Sequence, residues 1–569
     1  MPVRIFVYSA GACLFLGAAC TPAMGQVVER YTPPGQSAVP APALDRPMVS
    51  EGSNDEAPLG VVLREIVVQR VPDDTDATQT EPHRDRLDEK LRPLMGRQLS
   101  RALIANIEAA IVRHYRDTGR PFVSVTTPPQ ELTEGSLIVQ VTEFRIGTLR
   151  VIAPEWEESS FVRRRIRLGS DDRIDAPDLT QDLEWLNRDP FRRVEVRFSP
   201  GSGFGQSDLE LTATRQRPFR AFAGYANSGP RGQDRDRVFG GVQIGDLGTR
   251  GSLFSYLLTL DPDSLAHPAR WTGRSRDDRS FVSHSGLAIV PVAPRQDILA
   301  SVNWIRSDLP VEAFLVRQTT IEGSLVHRRG IEIAGARGDL TLGLEIRRQV
   351  RDLVFDQTQV FRSSADVAQL ALGWSARGNI GRAQFGYTFS ARVSPGEITS
   401  GNSDRAFALF TEGAVTTARY VYGGIDHWAT VPIRQGWVLS SSYRVQVSNH
   451  RLLSSEQTIL GGEFAVRGYR LDDGGFDMAA VSRTELQLQP LSVRSLSGSQ
   501  VQPFAFLDVG YGRNAGDRRF ARAAATGLGF NVQVSTKLSL ATAMAMPLVD
   551  GPTTRSGDLR LHIRAGLSF

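Results

Sequence analysis

Lysine is almost missing from this chain. Only Lys90 and Lys537 are lysines, and the other 64 of its 66 cations are arginine. That bias fits genome composition better than function, because acids nearly balance it and the net charge is only +4. Such a balance leaves no electrostatic footprint for nucleic acid. Cysteine is scarce as well: Cys13 and Cys20 are the only two. Both fall in the N-terminal segment considered next, so the mature chain is expected to rest on no disulfide. Beyond that segment no apolar run approaches the roughly 18 residues of a membrane helix, and mean hydropathy is −0.21. The eight histidines are scattered with no HExxH pair, and no GxSxG, GKS or GKT occurs. These absences remove the zinc-protease, serine-hydrolase and P-loop signatures. "GYGRNAG" (Gly510 to Gly516) is glycine-rich, but it follows an alternating segment and reads as a turn at a strand end. No catalytic residue, cofactor or metal ligand is assigned, and the chain is not expected to be an enzyme.

What is present begins with "MPVRIFVYSAGACLFLGAACTPAMGQ". Arg4, an apolar run from Ile5 to Ala19 and then small residues read as a secretory signal peptide (residues 1–25) cleaved after Gly25. Gly17 stands where a lipidation signal usually has Leu, which argues against a lipid anchor at Cys20. Residues 26–58 are rich in Pro, Ala and Ser and read as a linker without a core.

From Leu63 to about Val141 the pattern is β-α-α-β-β. "LREIVVQ" is a strand, Arg70 to His83 a polar loop, and Leu87 to Leu94 a short helix. Ser100 caps a longer helix to about Asp117, with Leu103, Ile107, Ile111 and Tyr115 making one apolar stripe and Gly119 just past the end. "PFVSVTTPPQEL" and "GSLIVQVTEF" supply two strands. A second module of similar size runs from about Ile146 to Ala213: a strand, helices near Ser160 to Arg167 and Ala176 to Arg188, and a hairpin. Two small α+β modules in series, without catalytic clusters, read as binding modules.

After Pro218 glycine and aromatics rise, and segments alternate with the period of a strand. Examples are Leu340, Leu342, Leu344 and Ile346; Tyr443, Val445 and Val447; and Leu528, Phe530, Val532 and Val534. The chain ends "DLRLHIRAGLSF", apolar on one face to Phe569, with Arg560, His562 and Arg564 on the other. A soluble sandwich or propeller and a membrane barrel both alternate. A strand that is apolar to its last residue suits closure in lipid, where no backbone edge stays unpaired. The 353 residues from Arg217 to Phe569, at roughly 22 residues per strand and turn, predict about 16 strands. The cation row then faces a wet lumen.

Several stretches, taken in order and spacing, resemble one family. "PPQELTEGSLIVQVTE" (Pro128 to Glu143), with Pro129, Gln130 and Leu132, is similar to the signature that closes a first POTRA domain. "DLEWLNRDPFRRVEVRFSPGSGFGQSDLEL" (Asp182 to Leu211), with Leu186, Asn187 and Pro190, resembles a second POTRA domain and its exit. "YANSG" (Tyr225 to Gly229) resembles a first barrel strand, "FAVRGY" (Phe464 to Tyr469) the tip of a long sixth loop, and "FLDVG" (Phe506 to Gly510) its partner motif Phe-x-Asp-x-Gly. Together they resemble two-partner secretion transporters, the TpsB or haemolysin secretion/activation proteins. The resemblance covers about residue 60 to the end. The family's Asp is replaced by Ala226, its N-terminal plug helix has no clear counterpart, and the loop Arg70 to Arg86 is long and acidic.

The resemblance implies a signal peptide, a linker, POTRA 1 (59–145), POTRA 2 (146–215) and an outer-membrane β-barrel of about 16 strands (216–569). It implies a lumenal loop near 461–475, with POTRA domains in the periplasm. Val466, Arg467, Gly468 and Tyr469 would fold into the lumen, with Arg467 on Asp508 between Phe506 and Gly510. The partner would be a large secreted β-helical exoprotein in unfolded form, exported through a monomeric barrel seated in outer-membrane lipid. Its docking surface is expected on strand Leu137 to Val141 and helix Arg101 to Asp117, by addition of an extended segment to a strand edge. A barrel-assembly insertase of the same superfamily is the alternative, and a passive porin or adhesin a distant third.

Overall fold

The computed structural model describes residues 55–71, 84–132, 134–230, 235–272, 280–311, 313–434, 436–493 and 499–569. The signal peptide, nearly all of the linker and most of the polar loop 70–83 lie outside the described residues. The chain forms two compact units, which divide at Arg217.

The N-terminal unit contains two modules of one design. In the first, the three-stranded sheet has the order Glu65–Arg70, Ser136–Glu143, Val123–Thr126. The middle strand is parallel to the first and antiparallel to the third. Helices Arg84–Leu91 and Arg101–Asp117 cover one face. The hydroxyl of Ser100 accepts from the Leu103 amide, which fixes the start of the longer helix. Its stripe of Leu103, Ile107, Ile111 and Tyr115 packs on Leu137, Val139 and Val141. A short strand that sequence periodicity gave no sign of, Pro58–Val62, pairs with Gln98–Ser100. In the second module the order is Arg145–Ile152, Gln206–Arg215, Arg192–Pro200, with helices Trp156–Arg163 and Ala176–Leu186. The first of these helices starts four residues earlier than expected and leaves Arg167 outside. Arg167 instead stretches to Asp182, giving it two bonds of 2.9 Å from backbone N–H and Nε.

One expectation is corrected here. Leu137 to Val141 is not a free edge: it lies in the central strand, with neighbours on both sides. Its apolar alternation reflects burial under the helices, and alternation alone does not distinguish a central strand from an edge.

The second unit is a closed antiparallel barrel of 16 strands. In chain order they are Phe219–Ala226, Arg237–Gly245, Leu253–Leu260, Ser280–Ala293, Gln296–Val311, Phe314–Ile333, Ala336–Phe355 and Thr358–Ile380. Then follow Ala383–Pro395, Arg419–Pro432, Trp437–Ser448, Met478–Leu488, Ser499–Arg513, Ala521–Gln533, Leu538–Pro547 and Arg560–Ser568. The twelfth is continued by Leu491–Val493 beyond Pro490, which has no N–H to give a ladder. Side chains sort by the period of two. Leu342, Leu344, Ile346, Leu370, Leu372, Leu528 and Leu561 face outward and are exposed, while Glu322, Arg347, Gln369, Arg392, Gln446, Asp508 and His562 are buried inside. This is the arrangement a lipid exterior and a wet interior require. The last strand closes on the first over five pairs, Arg564↔Ala226 to Ser568↔Phe222. Asn227 lengthens that seam with its side chain, giving a hydrogen bond to Leu561 O (2.8 Å) and accepting one from Ile563 N (2.9 Å).

Candidate functional site

A 16-stranded barrel is wide enough to hold an aqueous channel. Here the loop between the eleventh and twelfth strands, residues 449–477, folds back into it. Its tip carries Ala465, Val466, Arg467, Gly468 and Tyr469, all buried. Gly468 has φ +89°, and a Cβ there would sit 3.1–3.3 Å from Pro547 and Ala545, so glycine suits both the turn and the approach to the wall.

Arg467 is held from three sides. Its Nε and Nη2 grip the two oxygens of Asp508 at 2.7 and 2.9 Å, its Nη1 donates to Glu485 at 2.6 Å, and its backbone N–H donates to Asp508 at 3.1 Å. Its guanidinium lies 3.6 Å from the Phe506 ring centroid. Arg467 is 3% exposed and Asp508 0%. The forked geometry is the one in which a guanidinium binds a carboxylate most specifically. Burial alone would lower the Arg467 pKa; Asp508 and then Glu485 more than offset this and hold it above its ordinary value.

The rest of the partner motif makes room. Phe506, Asp508 and Gly510 are two residues apart on one strand and share the inner face. A Cβ on Gly510 would lie 2.9 Å from Val466 Cγ2, so the bare backbone there is what admits Val466. Val466 packs with Leu460, Tyr469, Val481 and Ala525. Tyr469 donates its hydroxyl to Val549 O at 2.5 Å, and Gly468 N–H donates to His562 Nε2 at 3.2 Å.

Sequence reasoning missed several members of this site. Glu485 supplies the second carboxylate for Arg467, Glu463 forms a two-point pair with Arg564 (3.0 and 3.2 Å), and Asp473 accepts from the backbone of Arg470, Thr553 and Thr554. Burial alone would raise the Asp473 pKa, but the donors from Thr554, Thr553 and Arg470 hold it below the ordinary aspartate value. Only Glu485 had a legible signal, an acid at an inward parity of "TELQLQ".

The POTRA residues fall into a repeated device. Gln130 donates to Ile138 O at 2.8 Å and accepts from Ile138 N at 2.7 Å. Asn187 does the same to Val194, at 3.0 and 2.7 Å. Each amide replaces a missing stretch of strand beside its sheet. Leu186 is buried in the second core and Leu132 packs on the first, while Pro129 is exposed and Pro190 stands in the turn after Asn187.

Comparison with known proteins agrees with this architecture. Residues 326–532 match the model of the haemolysin secretion/activation protein ShlB/FhaC/HecB, and residues 66–143 match the ShlB-type POTRA domain. The chain is 24% identical over 463 residues to the outer membrane transporter CdiB of Dickeya dadantii, covering 79% of this chain and 77% of that one. It is 23% identical over 449 residues to CdiB-2 of Burkholderia pseudomallei, covering 74% and 68%. In fold it is similar to CdiB from Escherichia coli (TM-score 0.69, 18% identity, 93% and 94% covered). It is also similar to CdiB from Acinetobacter baumannii (TM-score 0.61, 16% identity, 95% of each covered). These matches support a TpsB-type outer-membrane transporter of the haemolysin secretion/activation kind, with the barrel in the outer membrane and the POTRA domains in the periplasm.

Proposed function

We propose that this transporter takes an unfolded exoprotein from the periplasm, engages it through its POTRA modules, and passes it through the barrel once the lumenal loop gives way. The observation that carries this reading is the loop tip itself. Arg467 reaches from the loop tip to a buried carboxylate on the inner wall, so the channel is occupied by a segment held by polar contacts that can be broken and remade. An apolar plug would serve closure alone. A charged, forked pair supports a defined resting position that cargo can compete for.

For recognition, the second module has an edge suited to an extended segment. Among the described residues Arg192–Pro200 is paired on one side only, with Gln206–Arg215. Asn187 caps its outer side at Val194 and stops there. This strand replaces Leu137 to Val141 as the candidate docking edge. Export would draw on folding of the exoprotein outside, because no nucleotide-binding motif is present in the sequence.

The test begins with the adjacent reading frames: where one encodes a large β-helical exoprotein, its secretion is measured in cells lacking the transporter and then complemented. Retention in the periplasm on deletion, and release on complementation, support the reading. Exoprotein in the medium without the transporter would overturn it.

A further inference from the structure

The lumenal loop has a second anchor, which neither the Arg-Gly-Tyr tip nor the Phe-x-Asp-x-Gly motif accounts for. Before reaching its tip the loop sends Ser455 and Glu456 toward another part of the wall, and both are fully buried. Every oxygen of the Glu456 carboxylate is occupied. Oε1 takes Arg347 Nη1 and the Ser455 hydroxyl; Oε2 takes Tyr422 OH at 2.7 Å and Gln369 Nε2 at 3.0 Å. Arg347 is itself fixed by Glu322 at 2.6 Å, and the Glu456 carbonyl accepts from Gln446 at 2.9 Å. Leu452 and Leu453 seal the cluster beneath Phe407 and Phe410 of the loop 396–418.

The two anchors use different walls. Glu456 is held by the sixth, seventh, eighth, tenth and eleventh strands, directly or through Arg347. Arg467 is held by the twelfth and thirteenth, and its neighbours Gly468 and Tyr469 touch the fourteenth and the sixteenth. Arg347 and Asp508 stand six strands apart in a ring of 16. The two sets share no residue, so their free energies should add. Glu456 lies 11 positions before Arg467, far enough for the tip to leave while the stem stays.

We infer that Glu456 is a positioning residue, a stem latch that keeps the loop across the lumen independently of Arg467, so that the pore clears only when both let go. This rests on the transporter reading for its purpose, but not for its measurement. The assay is single-channel conductance of the full-length protein in planar bilayers, comparing wild type, Arg467→Ala, Glu456→Gln and the double variant. Each single variant should raise the open probability by its own factor. The double variant should show the product of the two factors, exceeding either single variant by more than about tenfold. Arg467→Ala as open as the double variant would overturn the inference.

Should Glu456→Gln fail to assemble, the stem can be locked instead. Thr458 and Gln446 meet at 3.0 Å, close enough for a short cleavable cross-linker, and the sequence's own cysteines are Cys13 and Cys20 alone. Thr458→Cys with Gln446→Cys in the Arg467→Ala background, joined by a reducible bis-methanethiosulfonate, should be less open than the same protein after reduction. Equal opening with the bridge intact would sink the stem latch. Exoprotein secretion is scored separately, so failure of the transporter reading shows there and leaves the conductance result standing.

Discussion

Removing the Arg467 side chain while the barrel stays assembled is the sharpest perturbation available. Arg467→Ala leaves Asp508 fully buried with only the backbone N–H of residue 467 as donor, and leaves Glu485 with Arg483 at 3.8 Å. Stranding one partner of a desolvated pair costs about 3–5 kcal/mol. At about 1.36 kcal/mol per tenfold, tip opening should become roughly 150- to 5,000-fold more frequent. A cysteine at Ala465, buried beside Val466 in the resting loop, reports that opening through its rate of maleimide labelling, with the unsubstituted chain, whose thiols are Cys13 and Cys20 alone, as the background. When reclosing outpaces labelling, the rate follows the opening equilibrium. Arg467→Lys should fall between, since one ammonium cannot supply the forked contact. Heat-modifiable migration should remain that of a folded barrel, and secretion should fall more than insertion. Labelling unchanged within about twofold would refute the energetic argument, and equal loss of secretion and insertion would show that the loop only supports the barrel.

Gly468→Ala places a side chain at φ +89° against Pro547 and should cost about 1–3 kcal/mol; the expected result is assembled barrel with faster Ala465→Cys labelling. Asn187→Ala uncovers Val194 N–H and C=O, an expected loss of about 1–3 kcal/mol. Periplasmic proteolysis of the full-length protein should rise while barrel migration stays constant. Asp473 has a pKa held below the ordinary aspartate value. Its contribution is therefore complete above the unfolded pKa and is lost as pH falls through the folded one. Channel opening should be flat from neutral pH into the mildly acidic range and rise only below the aspartate value; Asp473→Asn should lack that acid step.

Strand alternation made much of the barrel legible, because lipid and lumen sort side chains by parity. Leu342 to Ile346 and Leu559 to Phe569 carry that signal plainly. The loop tip was visible as glycine-flanked "FAVRGY", and its wall partner as "FLDVG". Contacts that depend on where the loop travels were not visible. Nothing in "SSEQ" says that Glu456 is buried against Arg347, which lies 109 positions away. Gln130 and Asn187 were noticed as motif members, yet their work as amide clamps needs sheet geometry. The central place of Leu137 to Val141 was misread for a physical reason: burial under helices and exposure at an edge produce the same alternation.

The barrel strands differ widely in length, and that difference has a practical consequence. The first three have 8 or 9 residues, whereas the sixth to eighth have 20 to 23. Crossing lipid takes about 9–11 residues. Strand direction alternates from the periplasmic start of the first strand, so the turn at Asp356–Gln357, between the seventh and eighth, falls on the cell-surface side. The ninth strand joins the eighth only from Leu370 onward, and nearer that turn loop 396–418 takes its place: Asp366 N–H donates to Gly401 O, and Asn402 donates to Asp366 O. The hairpin at Asp356 is thus the part of the molecule that can be lengthened, tagged or clipped while the hydrogen-bonded ring in the membrane stays whole.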